Sequence, residues 1–178
     1  KWKSPKPQGN NLRAVTIVDN NKFYAVGYGG TIVYTENGGT TFSVTHYVNN
    51  FIKSLNDCGN FPGTNTHIAV GDDGGYFKSS DYGKTWMHLN DIGLPENFTI
   101  KTIHFIDENN AFIAGSEGRV YKTTNAGNNW SNLTTPLTGT ISTINFYNSQ
   151  IGWIFDEYLY ATTTNGGSNW QWKFNLPA

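Results

Sequence analysis

Charge is scarce in this chain. Charged residues fill 14% of its 178 positions and almost cancel, leaving a formal net charge of -1. No basic run is long enough to follow a phosphate backbone, so no nucleic acid partner is expected. Arginine is rarer still. Arg13 and Arg119 are the only two, too few for the arginine cluster that grips a sugar-acid carboxylate. Cys58 stands alone, which excludes an internal disulfide and any paired-cysteine metal site. The four histidines, His46, His67, His88 and His104, fall at no metal-ligand spacing, so no metal is expected. Long apolar runs are missing too. None approaches the roughly 18 residues of a membrane helix, and no membrane insertion is expected. A signal-peptide pattern is not legible either, so a secreted protein would be present in its mature or cut form. Sustained helical periodicity is also absent.

What the chain has instead is 20 glycines, 15% aromatic residues, and many Asn and Thr. That mixture suits short strands joined by tight turns. Four segments align without gaps: "TENGGTTF" (35–42), "SSDYGKTW" (79–86), "TTNAGNNW" (123–130) and "TTNGGSNW" (163–170). The third position is Asn37, Asp81, Asn125 and Asn165. The fifth is Gly39, Gly83, Gly127 and Gly167. The eighth is Phe42, Trp86, Trp130 and Trp170. Upstream in the same register run "AVGYGGTIVYT", "AVGDDGGYFKS", "IAGSEGRVYKT" and the degenerate "WIFDEYLYATT". Further upstream come the apolar, alternating "LRAVTIVD", "FIKSLND", "IKTIHFID" and "ISTINFYN". Each repeat reads as four strands, the pattern of a β-propeller blade. The chain is expected to be all-β, a single propeller domain with blades at about 12–46, 51–90, 99–134 and 140–175. Trp2 stands where a preceding box aromatic would be. The four blades are therefore either a small closed ring or part of a larger propeller with further blades elsewhere.

The eight-residue box resembles the Asp-box, or BNR repeat, of sialidases, sortilin-type receptors, Asp-box xyloglucanases and the photosystem II assembly factor family. The longer phrase is most like the assembly-factor type. The resemblance implies that the boxes lie on the face away from the functional pocket. Read physically, the box is a hairpin lock. Its glycine takes a positive φ, its Asp or Asn accepts backbone N–H bonds, and its aromatic packs between blades. Asn replaces Asp in three of four copies and cannot act as a general acid or base, so no catalytic residue is assigned there.

Candidate binding residues lie on the opposite face, in the turns between second and third strands: Tyr28, Asp72, Asp73, Glu117, Asp156 and Glu157. The turns are read as two-residue loops at 28–29, 72–73, 116–117 and 156–157. Asp and Gly are also default turn formers. If functional, these acids would bind a cation or a basic partner. Phe51, Phe61 and Phe98 in the connections could stack on sugars, or pack in the core. "GYGGT" and "GDDGG" precede no helix, so they are not phosphate cradles, and no cofactor is expected. The three Asn-x-Ser/Thr sequons, at Asn97, Asn129 and Asn132, matter only in a eukaryotic secretory host.

These readings point to a non-enzymatic binding or scaffolding propeller. Its partner would be a protein or a glycan, at a cell or virion surface or in a larger assembly, in an extracellular or periplasmic setting. The alternative is an Asp-box glycoside hydrolase, which needs two carboxyls facing each other across a cleft.

Overall fold

Residues 9–46 and 53–173 are described by the computed structural model. Sixteen strands form four antiparallel sheets, each in simple up-and-down order. The first sheet holds β1 (Leu12–Ile17), β2 (Phe23–Gly27), β3 (Thr31–Thr35) and β4 (Ser43–His46). The second holds β5 (Leu55–Asn60), β6 (His67–Gly71), β7 (Tyr76–Ser79) and β8 (Met87–His88). The third holds β9 (Ile100–Phe105), β10 (Ala111–Gly115), β11 (Val120–Thr123) and β12 (Ser131–Leu133). The fourth holds β13 (Thr143–Phe146), β14 (Gly152–Phe155), β15 (Tyr160–Thr163) and β16 (Gln171–Lys173). The first strands of successive sheets lie side by side, β1 on β5, β5 on β9 and β9 on β13. These are the blades of a β-propeller. Among the described residues, no comparable packing returns from β13 to β1.

The core lies between blades rather than inside one. Period-two alternation gives each sheet two apolar faces. Tyr24, Val26 and Ile32 of blade 1 meet Leu55, Ala69 and Phe77 of blade 2. Ile68, Val70 and Tyr76 of blade 2 meet Ile103, Ile113 and Trp130 of blade 3. Phe112, Ala114 and Val120 of blade 3 meet Ile144, Ile154 and Trp170 of blade 4.

The box joins third and fourth strands, and a hydroxyl is its hub. Thr123 Oγ1 accepts from Gly127 N at 3.0 Å and Asn125 N at 3.3 Å, and donates to Asn125 Oδ1 at 3.0 Å. That Oδ1 in turn accepts from Asn129 N at 3.0 Å. Thr35, Ser79 and Thr163 repeat the arrangement. All four hydroxyl residues are buried. Replacing Thr123 by the isosteric Val leaves the buried Gly127 N–H without its acceptor. We expect a loss of about 1–3 kcal/mol, read as a lower urea midpoint at unchanged slope.

The box aromatics do pack across blades where the preceding blade is among the described residues. Trp86 meets Tyr24 edge-on at 5.1 Å, and Trp130 meets Tyr76 at 5.9 Å. Phe42, in the first blade, rests on Phe23 of its own sheet.

One buried network under the first junction carries a pH signature. Tyr24 Oη lies 3.1 Å from both Gly59 O and His67 Nδ1. With the tyrosine proton given to the carbonyl, Nδ1 is the donor. Nε2 is then the basic nitrogen, buried and without a hydrogen-bond partner. Burial pushes the His67 pKa down to about 4 from 6.5. The folded state therefore resists a proton that the unfolded chain accepts. Stability from this site is complete above pH 6.5 and is lost as pH falls towards 4. His67→Gln is expected to flatten the stability–pH curve in that window, by about 1–3 kcal/mol between its ends.

Candidate functional site

On the face opposite the boxes, the hairpins differ by one residue from the sequence reading. The left-handed pair is Asp73–Gly74 (φ 49 and 73) and Glu117–Gly118 (φ 58 and 65), not 72–73 and 116–117. Two successive positive φ values make a type I′ turn, which matches the right-handed twist of the flanking strands. Gly74 and Gly118, which the sequence reading left just outside the two-residue loops, are thus inside them. Asp72 and Ser116 precede the turn, and their carbonyls accept from Gly75 N and Arg119 N. Blade 4 uses another device. Asp156 Oδ1 accepts from Tyr158 N at 2.8 Å and Leu159 N at 2.6 Å, holding its own loop.

The carboxylates there come with cations attached. Asp72 takes Lys101 Nζ at 3.1 Å, Asp73 takes Lys53 Nζ at 2.7 Å, and Glu117 contacts Arg119. Exposed pairs of this kind contribute little stability, but they cancel the acidic field. Among the described residues, no group of three or more His, Cys, Asp or Glu is arranged to hold a metal ion.

The polar feature that spans blades was not read from sequence. In the first three blades, the inner strand carries a bulge next to its hairpin, between Leu12 and Ala14, Leu55 and Asp57, and Ile100 and Thr102. The extra residues are Arg13, Asn56 and Lys101, and they form one ladder. Arg13 donates to Asn56 Oδ1. Asn56 Nδ2 donates to Asp72 Oδ1 and Ile100 O, each at 2.8 Å. Lys101 closes on the same Asp72 oxygen. The Arg13 guanidinium sits 4.3 Å over the Tyr28 ring, a cation–π contact. Burial alone would raise the Asp72 pKa. The hydrogen bonds from Asn56 and Lys101 and the nearby positive charges outweigh it, and the carboxyl ends below its usual value. Of the six candidates, Tyr28 and Asp72 join this ladder. Asp73 and Glu117 stand in separate ion pairs, while Asp156 caps its own turn and Glu157 lies exposed beside it. Beside Asp73, a groove of about 520 Å³ opens towards Asp91, Leu94 and Glu96.

Phe61 and Phe98 are fully buried and belong to the core, so neither offers a stacking surface. Phe51 and Trp2 lie outside the described residues. Burial pushes the Cys58 thiol up to about 12, and Thr16 Oγ1 lies 3.2 Å from its sulfur, so it is no thiolate nucleophile at neutral pH. Asp57 is raised by burial but accepts from Cys58 N and Ile103 N, which ties it to the backbone.

No family model matches the chain. Among curated proteins, it is 29% identical over 119 residues to the vacuolar protein sorting/targeting protein 10 of Mycosarcoma maydis. The match takes in 63% of this chain and 8% of that protein. Among solved structures, it is similar to YCF48 bound to D1 peptide, with a TM-score of 0.76 and 21% identity over 95% of this chain and 55% of that one. YCF48 from Cyanidioschyzon merolae matches with a TM-score of 0.72 and 20% identity, covering 98% of this chain and 59% of that one. The GH74 xyloglucanase from Xanthomonas campestris gives 0.69 and 14%, covering 93% and 31%. The chain thus spans a little over half the length of the two YCF48 structures. YCF48 and a GH74 xyloglucanase share this propeller, so the fold by itself chooses no function.

Proposed function

We propose that the chain is a non-enzymatic binding module that engages a segment of another protein on its hairpin face, as part of a larger assembly. The carrying observation is the ladder Tyr28–Arg13–Asn56–Asp72–Lys101, which brings residues of three blades together at one end of the inner strands. Arg13 is exposed and Lys101 half-buried, and both keep donors directed by the ladder without being consumed by it. A peptide carbonyl or carboxylate fits such donors, and Tyr28 adds an exposed aromatic anchor. The D1 peptide bound to YCF48 supports a protein ligand for this propeller type. Glycosidic hydrolysis has less behind it. Asp72, Asp73 and Glu117 each face a cation rather than another carboxyl across a cleft.

A photo-crosslinker placed at Tyr28, in extract of the source, tests the proposal. Specific crosslinks to one protein are expected, weakened about tenfold or more by Arg13→Glu with Lys101→Glu. Crosslinks that ignore the double substitution, or that arise equally from a probe on the box face at Met87, would overturn it.

A further inference from the structure

The three blade junctions follow one plan, and the first departs from it at three adjacent positions. Strand registers make the positions equivalent. The inner strand ends on Phe105 in blade 3 and on Phe146 in blade 4, and each ring fills the junction with the preceding blade. Phe105 lies edge-on to Phe61 at 4.9 Å, and Phe146 stacks on Phe112 at 4.0 Å. Blade 2 ends its inner strand on Asn60 instead. The residue paired with that position is Ala111 in blade 3 and Gly152 in blade 4, but His67 in blade 2. The fourth box position is left-handed in every copy. It is Gly38, Ala126 or Gly166 elsewhere and Tyr82 here, at φ 61. A bulky side chain in that conformation is strained.

The three departures converge on one cavity. A pocket of about 270 Å³ opens at the first junction on the box face. Val18 of blade 1 lines it, with Asn60, Thr64, His67 and Tyr82 of blade 2. Asn60 leaves room where a phenylalanine ring fills the other two junctions. Most polar groups of the pocket are engaged. Thr64 Oγ1 donates to Phe61 O at 2.9 Å and accepts from Thr66 N at 3.1 Å, and Asn60 Nδ2 donates to Phe61 O at 3.3 Å. His67 is the exception. It is 1% exposed, its Nδ1 is on Tyr24, and its Nε2 has no hydrogen-bond partner among the described residues. Tyr82, itself 47% exposed, stands edge-on to His67 at 6.0 Å.

We infer that this pocket takes a small aromatic ring bearing one N–H or O–H, of the indole or phenol kind. The ring takes the place of the junction phenylalanine, and its proton goes to His67 Nε2. Room left by a missing core ring binds a flat apolar molecule. A lone buried acceptor adds the demand for a single donor. Because Nε2 is closed off from solvent, the Tyr82 ring must turn aside to admit the ligand. Strained backbone of the kind Tyr82 carries is found at ligand clamps. The ring can arrive as a free small molecule or as a Trp or Tyr side chain of another protein.

Titration calorimetry of the whole chain with indole and with 1-methylindole, which lacks the N–H, tests this. Saturable indole binding is expected, about tenfold or more tighter than that of 1-methylindole. Asn60→Phe gives blade 2 the ring that blades 3 and 4 carry, and should abolish binding without lowering the urea midpoint. His67→Phe places there the residue that blade 1 has, Phe23, and should remove the preference for indole. N-acetyltryptophan amide distinguishes the two sources. Its binding assigns the site to a partner's side chain, and its refusal beside bound indole assigns it to a free ring. No saturable binding of indole overturns the inference. So does equal affinity for the two indoles, or indole binding that Asn60→Phe leaves unchanged. Near-UV circular dichroism checks each fold, and Asn60→Leu replaces Asn60→Phe if that variant does not fold.

Discussion

Gly127→Ala is expected to destabilise the chain by about 3–5 kcal/mol, and Gly39→Ala by only about 1. Both glycines hold the left-handed conformation, at φ +74 and +83, so both substitutions incur the same backbone strain. They differ in what a Cβ would meet. At Gly127 it would lie 2.2 Å from Tyr76 Oη; at Gly39 nothing comes nearer than 3.4 Å. Tyr76 cannot yield cheaply. It is fully buried, and its hydroxyl donates to Gly127 O at 2.9 Å. Moving the ring would leave that carbonyl without its donor and overpack the second junction. Urea denaturation of both variants measures the difference. Tyr76→Phe should partly rescue Gly127→Ala, because it removes the atom struck, and the pair should be non-additive. Equal losses at the two positions would mean that close approach contributes nothing and backbone strain is the whole effect.

The repeat was legible in the sequence because its demands are local. A positive φ at the fifth box position requires glycine, and a junction ring requires an aromatic three residues later. Four copies in register make both visible. The hub hydroxyl was harder to see, since Thr123 or Ser79 at a strand end looks like any strand residue; its role appears only when three backbone and side-chain groups converge on it. The hairpins were misread by one position because Asp72 and Asp73, or Ser116 and Glu117, are all ordinary turn residues, and only the paired positive φ values pick the second of each with the glycine after it. The acids of that face were legible, but their partners were not. Lys101 reaches Asp72 from the neighbouring blade, and Lys53 precedes its own blade's inner strand. The ladder was illegible for the same reason. Arg13, Asn56 and Lys101 are each an extra residue at a bulge, and only blade-to-blade packing makes them neighbours.

Trp130→Ala should cost about 3–5 kcal/mol and, more tellingly, divide the unfolding transition. Trp130 is 4% exposed in the junction of blades 2 and 3, edge-on to Tyr76, and its N–H donates to Ile92 O at 2.8 Å. The backbone bond survives the substitution; the ring contacts do not. In a linear array, cooperativity rests on nearest-neighbour interfaces. The whole loss therefore falls on one coupling in the middle of the chain, with two blades on each side. Differential scanning calorimetry is expected to show one transition in wild type and two in Trp130→Ala. Phe42→Ala is the control. Phe42 is the same box position in the first blade, but it packs on Phe23 of its own sheet and couples to no earlier described blade. It should lower the melting temperature modestly and leave a single transition. Two transitions in both variants would place the coupling elsewhere than in the box aromatics; one transition in both would mean that the inner strands alone hold the blades together.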